Sequence, residues 1–132
     1  APWSCVSFRG LPLDTSAARD ERFRFDRDAL QKESNGGGWV TFSGKFCTEY
    51  GIATTAARMA YAVLHDEKVI LPASAELTGE YGEAGLFAGV PCVIGARGVE
   101  EVVELPLTDE EKATFHACCE GIRHNMEHLK EI

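Results

Sequence analysis

The spacing of apolar positions changes along the chain, and each change marks an element. Between residues 49 and 64, Ile52, Ala53, Ala56, Met59, Ala60 and Val63 recur at helical spacing, and the many alanines leave a narrow face that another helix can approach closely. Beyond His65-Asp66-Glu67 the pattern turns β-rich over residues 69–77, 86–94 and 99–105. Glycine-bearing turns at 78–85 and 95–98 separate these runs, which predicts an antiparallel meander of three strands. Thr108 followed by Glu111 is a T-x-x-E capping box. It opens a terminal helix whose apolar stripe is Phe115, Cys118, Cys119, Ile122, Met126 and Leu129.

The first third of the chain is patterned more weakly. Residues 3–13 mix Trp, Val and Phe with Ser and Arg, and Gly10 and Pro12 interrupt them, which suggests a short strand and a turn. Residues 14–27 carry most of the local charge and read as a solvated loop or linker. A helix follows from about residue 26 to 33, with Ala29, Leu30 and Lys32 as good formers. Gly36-Gly37-Gly38 should then break or unwind it, because each glycine costs about 1 kcal/mol in a helix interior relative to alanine. Helices and strands are segregated rather than alternating, so the expected class is α+β, with helices packed on an antiparallel sheet and a terminal helix.

Composition narrows the function classes. A chain of 132 residues that is 45% apolar and 26% charged is single-domain in length and globular in mixture. Thirteen Lys plus Arg stand against 21 Asp plus Glu, a net charge of −8, and the basic residues are scattered. That argues against nucleic acid or an anionic membrane surface as partner. Apolar runs are far shorter than a membrane span. The cysteines Cys5, Cys47, Cys92, Cys118 and Cys119 are odd in number, with no C-x-x-C, and suggest a reducing, cytoplasmic compartment. The opening Ala1-Pro2-Trp3-Ser4-Cys5 has the form of neither a secretory signal nor a natural start, so a fragment of a longer chain is expected.

Candidate chemistry from the residues alone is sparse. His124 and His128 are spaced i, i+4, but the text is H-N-M-E-H rather than H-E-x-x-H. Both histidines lie roughly opposite the Phe115–Ile122–Leu129 stripe, in solvent, so no metal site is expected. His116 near Cys119 could be drawn as base and nucleophile, yet Cys118 and Cys119 flank the centre of an apolar stripe and read as small core residues. Neither Gly36-Gly37-Gly38 nor the glycines at 79, 82 and 85 form G-x-G-x-x-G between a strand and a helix.

Three longer stretches carry a resemblance. V-I-L-P-A-S-A-E-L-T-G-E-Y-G-E from Val69, L-F-A-G-V-P-C-V-I-G from Leu86 and G-V-E-E-V-V-E-L-P-L-T-D-E-E from Gly98 closely resemble the C-terminal domain of the L-lactate and malate dehydrogenase family. The likeness extends back through G-K-F-C-T-E-Y-G-I-A from Gly44 to Ala1-Pro2-Trp3-Ser4, with residues 14–35 the weakest part. Residues 36–52 look like the branch acting on bulkier branched-chain 2-hydroxy acids, whereas the meander looks more like lactate dehydrogenase.

The resemblance implies an NAD-dependent L-lactate or other L-2-hydroxy-acid dehydrogenase that interconverts a 2-hydroxy acid and a 2-oxo acid by hydride transfer. L-2-hydroxyisocaproate-type and malate-type enzymes are the alternatives within the family. It also implies a first domain with the nucleotide fold and a carbonyl-polarising arginine, and a carboxylate-binding arginine and proton-donating histidine preceding Ala1. No catalytic residue is then expected in residues 1–132. Thr48 matches the position where a small hydroxyl side chain lines the substrate pocket, and Ile52 the position packing against the nicotinamide. Thr48 could equally cap a helix beginning at Glu49. Glu49 departs from the family pattern; an acid there, if it points inward, would disfavour a second carboxylate and so malate. The helix over 49–64 resembles one that packs at a subunit interface, so a homodimer or homotetramer is implied. A reading from another class is a free-standing, non-enzymatic oligomerisation module.

Overall fold

The computed structural model describes residues 1–129 and divides into two compact units, Ala1–Ala57 and the residues from Arg58 onward. The first unit opens with a 3-10 turn at Trp3–Cys5 and a small hairpin, β1 (Ser7–Phe8) and β2 (Leu11–Pro12). Its two turn residues, Arg9 and Gly10, both have positive φ, as a tight two-residue hairpin requires. The expected strand and turn are therefore present.

Residues 14–27 are not the expected solvated linker. They hold α1 (Leu13–Arg19) and a 3-10 turn at Glu21–Phe23. Leu13 and Ser16 are buried, the Arg24 Nε donates to the Ala17 carbonyl at 2.7 Å, and Arg27 pairs with Asp14. Aromatic contacts bracket the stretch: Phe8 lies 4.7 Å from Phe23 and Trp3 lies 5.9 Å from Phe25, ring centre to ring centre. A helix of about two turns with one large buried side chain leaves little periodicity to read, so the charge of the stretch dominates the expectation.

Nor do the three glycines interrupt their helix. α2 (Arg27–Lys45) runs straight through Gly36-Gly37-Gly38. The Asp26 carboxylate caps its start by accepting from the Ala29 N–H at 2.9 Å, and Phe46 closes its end in the left-handed region with its N–H on the Phe42 carbonyl. Continuing a helix adds one hydrogen bond per residue fixed, whereas breaking it here would require a second nucleation for residues 39–45. Edge-on rings Trp39–Phe42 and Phe42–Phe46, 6.0 and 6.2 Å apart, support that last segment.

In the second unit the expected meander is present, with β3 (Val69–Thr78), β4 (Ala84–Gly95) and β5 (Gly98–Val102) hydrogen-bonded in that order. The register sets Leu77 opposite Leu86, Ala75 opposite Ala88 and Leu71 opposite Cys92, so one face of the sheet is apolar. That face carries the core of Ala75, Leu77, Leu86, Ala88, Val90, Cys92 and Ile94. Against it pack Ala62 with Met59 and Val63 from α3 (Tyr50–Leu64), and Cys119 with Phe115 and Ile122 from α4 (Asp109–Leu129).

β5 ends at Val102, short of the expected residue 105. Opposite Val103 stands Pro91, whose carbonyl accepts from the Val103 N–H but which has no N–H to return. The Tyr81 hydroxyl takes over, donating to the Val103 carbonyl at 2.8 Å and accepting from the Leu105 N–H at 2.9 Å. The capping box forms as expected: Glu111 N–H donates to Thr108 Oγ1 and Thr108 N–H to Glu111 Oε2, at 3.3 and 3.0 Å.

Candidate functional site

The end of α2 and the start of α3 lie four residues apart, and the segment between them carries Thr48. Phe46 turns the chain with φ of 60°, after which residues 47–49 carry no regular secondary structure before Tyr50. The Glu49 carbonyl accepts from the Ala53 N–H at 2.8 Å, so Glu49 occupies the N-cap position and Thr48 precedes it. The helix thus begins one residue later than expected, which moves Thr48 out of the capping position. Thr48 and Ile52 are both exposed, Ile52 to 64%, and four residues separate them across the first turn of α3.

The side chains around Thr48 form a small polar cluster. The Cys47 thiol donates to Glu49 Oε2 at 2.8 Å, Lys45 Nζ lies 3.3 Å from Glu49 Oε1, and the same ammonium sits 4.5 Å from the centre of the Tyr50 ring. The thiol first, and Lys45 next, hold the Glu49 carboxyl below its ordinary value, so it is ionised at neutral pH. That same bond pushes the Cys47 thiol up, because a thiolate would face the carboxylate. Glu49 therefore has its charge turned back toward α2.

On α4 the structure separates the residues the sequence grouped. Cys119 is fully buried and burial pushes its thiol up, whereas Cys118 is exposed. The two cysteines therefore do not share a core role: Cys118 stands 100° round the helix from its neighbour, off the row made by Phe115, Cys119 and Ile122. Met126 and Leu129, expected in the same stripe, are 41% and 70% exposed, since the buried cluster ends at Ile122.

His116 does not address Cys119. Its Nδ1 meets Glu83, a buried carboxylate in the turn before β4, and Arg123 meets the other oxygen of the same group. His116 foremost, then Arg123, hold the Glu83 carboxyl below its usual range. Arg123 also donates to Glu120 at 2.6 Å. Sequence reasoning missed this network, because 33 residues separate Glu83 from His116 and 40 separate it from Arg123.

His124 and His128 are exposed as expected, with Nε2 atoms 3.1 Å apart. Among the described residues no group of three or more His, Cys, Asp or Glu side chains is placed to hold a metal ion, and no helix is long and apolar enough to cross a membrane.

Residues 10–132 match the model of the lactate/malate dehydrogenase alpha/beta C-terminal domain. The chain belongs to this family. Like the domain that defines the lactate/malate dehydrogenases at their C-terminal end, it has α+β architecture, with helices on an antiparallel sheet and a terminal helix, as the sequence led us to expect. It is 39% identical to an L-lactate dehydrogenase of Fusobacterium nucleatum over 129 residues, 96% of this chain and 41% of that protein. It is also 39% identical to a malate dehydrogenase of Halalkalibacterium halodurans over 120 residues, 91% of this chain and 37% of that protein. Among solved structures, the ligand-bound minor L-lactate dehydrogenase of Enterococcus mundtii superposes with a TM-score of 0.84 at 30% identity, over 98% of this chain and 41% of that one. Cryptosporidium parvum malate dehydrogenase gives 0.83 at 33% identity, over 98% and 42%. The chain thus spans about two fifths of the length of these dehydrogenases.

Proposed function

We propose that the chain is the substrate-side domain of an NAD-dependent L-2-hydroxy-acid dehydrogenase of the lactate type. In this reading Thr48 lines the substrate pocket and Ile52 packs against the nicotinamide. The observation that carries it is the pairing at the start of α3: a hydroxyl outside the helix cap and a 64% exposed apolar side chain one turn later, in a dehydrogenase domain. NAD, when bound, supplies or accepts the hydride.

Ile52 fits the ring of that cofactor, being apolar and open, but the chain's glycine run does not fit its phosphates. Gly36-Gly37-Gly38 lie inside α2, where their N–H groups belong to a helix interior rather than to a strand-to-helix loop. The phosphate cradle, the carbonyl-polarising and carboxylate-binding arginines and the proton-donating histidine are accordingly proposed for other parts of the enzyme. The 41% coverage of the lactate dehydrogenase relative leaves room for them. Thr48 orients the 2-oxo acid through its hydroxyl, and Ile52 keeps water from one side of the reacting carbon.

Specificity is proposed to favour monocarboxylates. Glu49 stands next to Thr48 with its carboxyl held ionised; Cys47 and Lys45 draw that charge toward α2, so a second substrate carboxylate beside Thr48 would meet it at longer range and partly offset by Lys45. The similarity to malate dehydrogenases supports the malate-type reading as the second one.

Steady-state kinetics of the full-length enzyme with pyruvate, branched 2-oxo acids and oxaloacetate test both. Loss of one substrate hydrogen bond in Thr48→Val should cost about tenfold in kcat/KM. Ile52→Ala should raise the KM for NADH, and Glu49→Gln should improve oxaloacetate relative to pyruvate. A wild-type preference for oxaloacetate would establish the malate reading instead, and an unchanged kcat/KM in Thr48→Val would remove Thr48 from the pocket.

A further inference from the structure

We propose that His124 and His128 form a two-imidazole binding site for a divalent transition ion of the zinc, nickel or copper class on the exposed side of α4. Their Nε2 atoms lie 3.1 Å apart, with ring centres 4.5 Å apart and ring planes at 79°. The i, i+4 spacing brings both rings to one face, and both residues are exposed.

Two nitrogens bound to one ion at about 2.0–2.1 Å each, across a right or tetrahedral angle, come to lie roughly 2.9–3.4 Å apart. The observed separation falls in that window, and it is the same pair of atoms, Nε2 and Nε2, that converges. Without an ion, this geometry is an N–H···N bond in which one imidazole donates and the other accepts. Binding requires that the donor ring carry its proton on Nδ1 instead, so that both Nε2 lone pairs face the ion. The helix supplies the preorganisation, because both side chains are already convergent.

Imidazole pairs select borderline ions of this class over magnesium or calcium, which prefer oxygen. Glu120, one turn before His124 on the same row, gives its carboxylate to Arg123 rather than to the histidines. Among the described residues the site has two protein ligands, which leaves coordination positions to water and makes the ion exchangeable, unlike a four-ligand structural zinc. It ties one turn of α4 to the next near the end of the helix, away from the Phe115–Cys119–Ile122 row that packs on the core.

The test is a titration of the full-length protein, carrying 15N-labelled histidine, with zinc chloride and separately with magnesium chloride, at about pH 7.5. We expect one equivalent of zinc to shift the Nε2 signals of His124 and His128 together and magnesium to leave them unmoved. Loss of an outer hydrogen-bond partner alone already weakens metal sites by about tenfold or more. His124→Gln and His128→Gln, which remove a ligand, should each cost at least that. Circular dichroism verifies that both variants keep their helices, and Cys118→Ser should bind zinc as the wild type does. One equivalent of zinc still bound by the double histidine variant in isothermal titration, or wild-type zinc shifts that touch only one of the two rings, or a response that disappears in Cys118→Ser, would overturn the proposal.

Discussion

Glu83 is a carboxylate taken out of water in the turn before β4, and two side chains of α4 meet its charge. Because His116 and Arg123 hold its carboxyl below the unfolded value, the pairing stabilises the fold at pH values above that unfolded value. The contribution is lost as pH falls through the lower, folded one. Wild type should therefore be more stable than Glu83→Gln at pH 7. The gap should shrink once pH drops below about 4.3, as read from urea midpoints across the range. A gap that stays constant down to pH 3 would show that the ionised form contributes nothing. The neighbouring thiols make a second residue-scale case: iodoacetamide should alkylate exposed Cys118 well before fully buried Cys119, with the order read by peptide mass mapping. Neither fact was legible in the sequence. The Glu83 network joins residues far apart in the chain, and adjacent cysteines differ only in which side of α4 the sheet covers. The chemistry of Thr48 was equally silent by itself, since a threonine just before a helix looks like a cap until the first helical hydrogen bond is located on the Glu49 carbonyl.

At the scale of elements, legibility followed how local the determining interaction was. The T-x-x-E box at Thr108 and Glu111 closes on itself within one turn and was readable outright. The meander was readable because alternating burial along β3 and β4 writes a period of two into the residues themselves. α2 was not, because helix cooperativity across residues 27–45 outweighed the local cost of its glycines. That difference can be measured. A methyl group added at Gly36, Gly37 or Gly38 meets nothing within 4 Å. Gly37→Ala should therefore stabilise the chain by about 0.5–1 kcal/mol in urea unfolding, and a loss of stability would mean that α2 needs the glycine for something other than its helix. Removing the α4 cap should act in the opposite sense: Thr108→Ala should cost about 0.5–2 kcal/mol, because the Glu111 N–H loses its acceptor.

Over the whole molecule, apolar exposure and net charge pull in opposite directions. In the first unit Trp39, Val40, Phe46, Tyr50 and Ile52 are each more than 60% exposed, and Trp39, Phe42 and Phe46 make a run of edge-on rings along one helix end. Apolar surface of this kind drives association, whether with a second copy of the chain or, in the proposed dehydrogenase, with other parts of its subunit. A net charge of −8 on every copy opposes self-association through mutual repulsion. Salt screens that repulsion over roughly 8–10 Å at moderate ionic strength and leaves the apolar attraction in place. The 132-residue chain should therefore shift toward dimers or larger species as sodium chloride rises, as followed by light scattering across a concentration series. Trp39→Ser together with Phe46→Ser should suppress the shift if this aromatic run is the contact, since both are side chains that α2 does not itself bury. Where association instead weakens with salt, charge pairs such as Lys45–Glu49 would have to be exchanged between copies, and the apolar run would be covered by another part of the subunit. The same variants in the proposed full-length dehydrogenase separate the two arrangements. A contact between copies changes subunit stoichiometry, whereas a contact within the subunit lowers its melting temperature and leaves the stoichiometry alone.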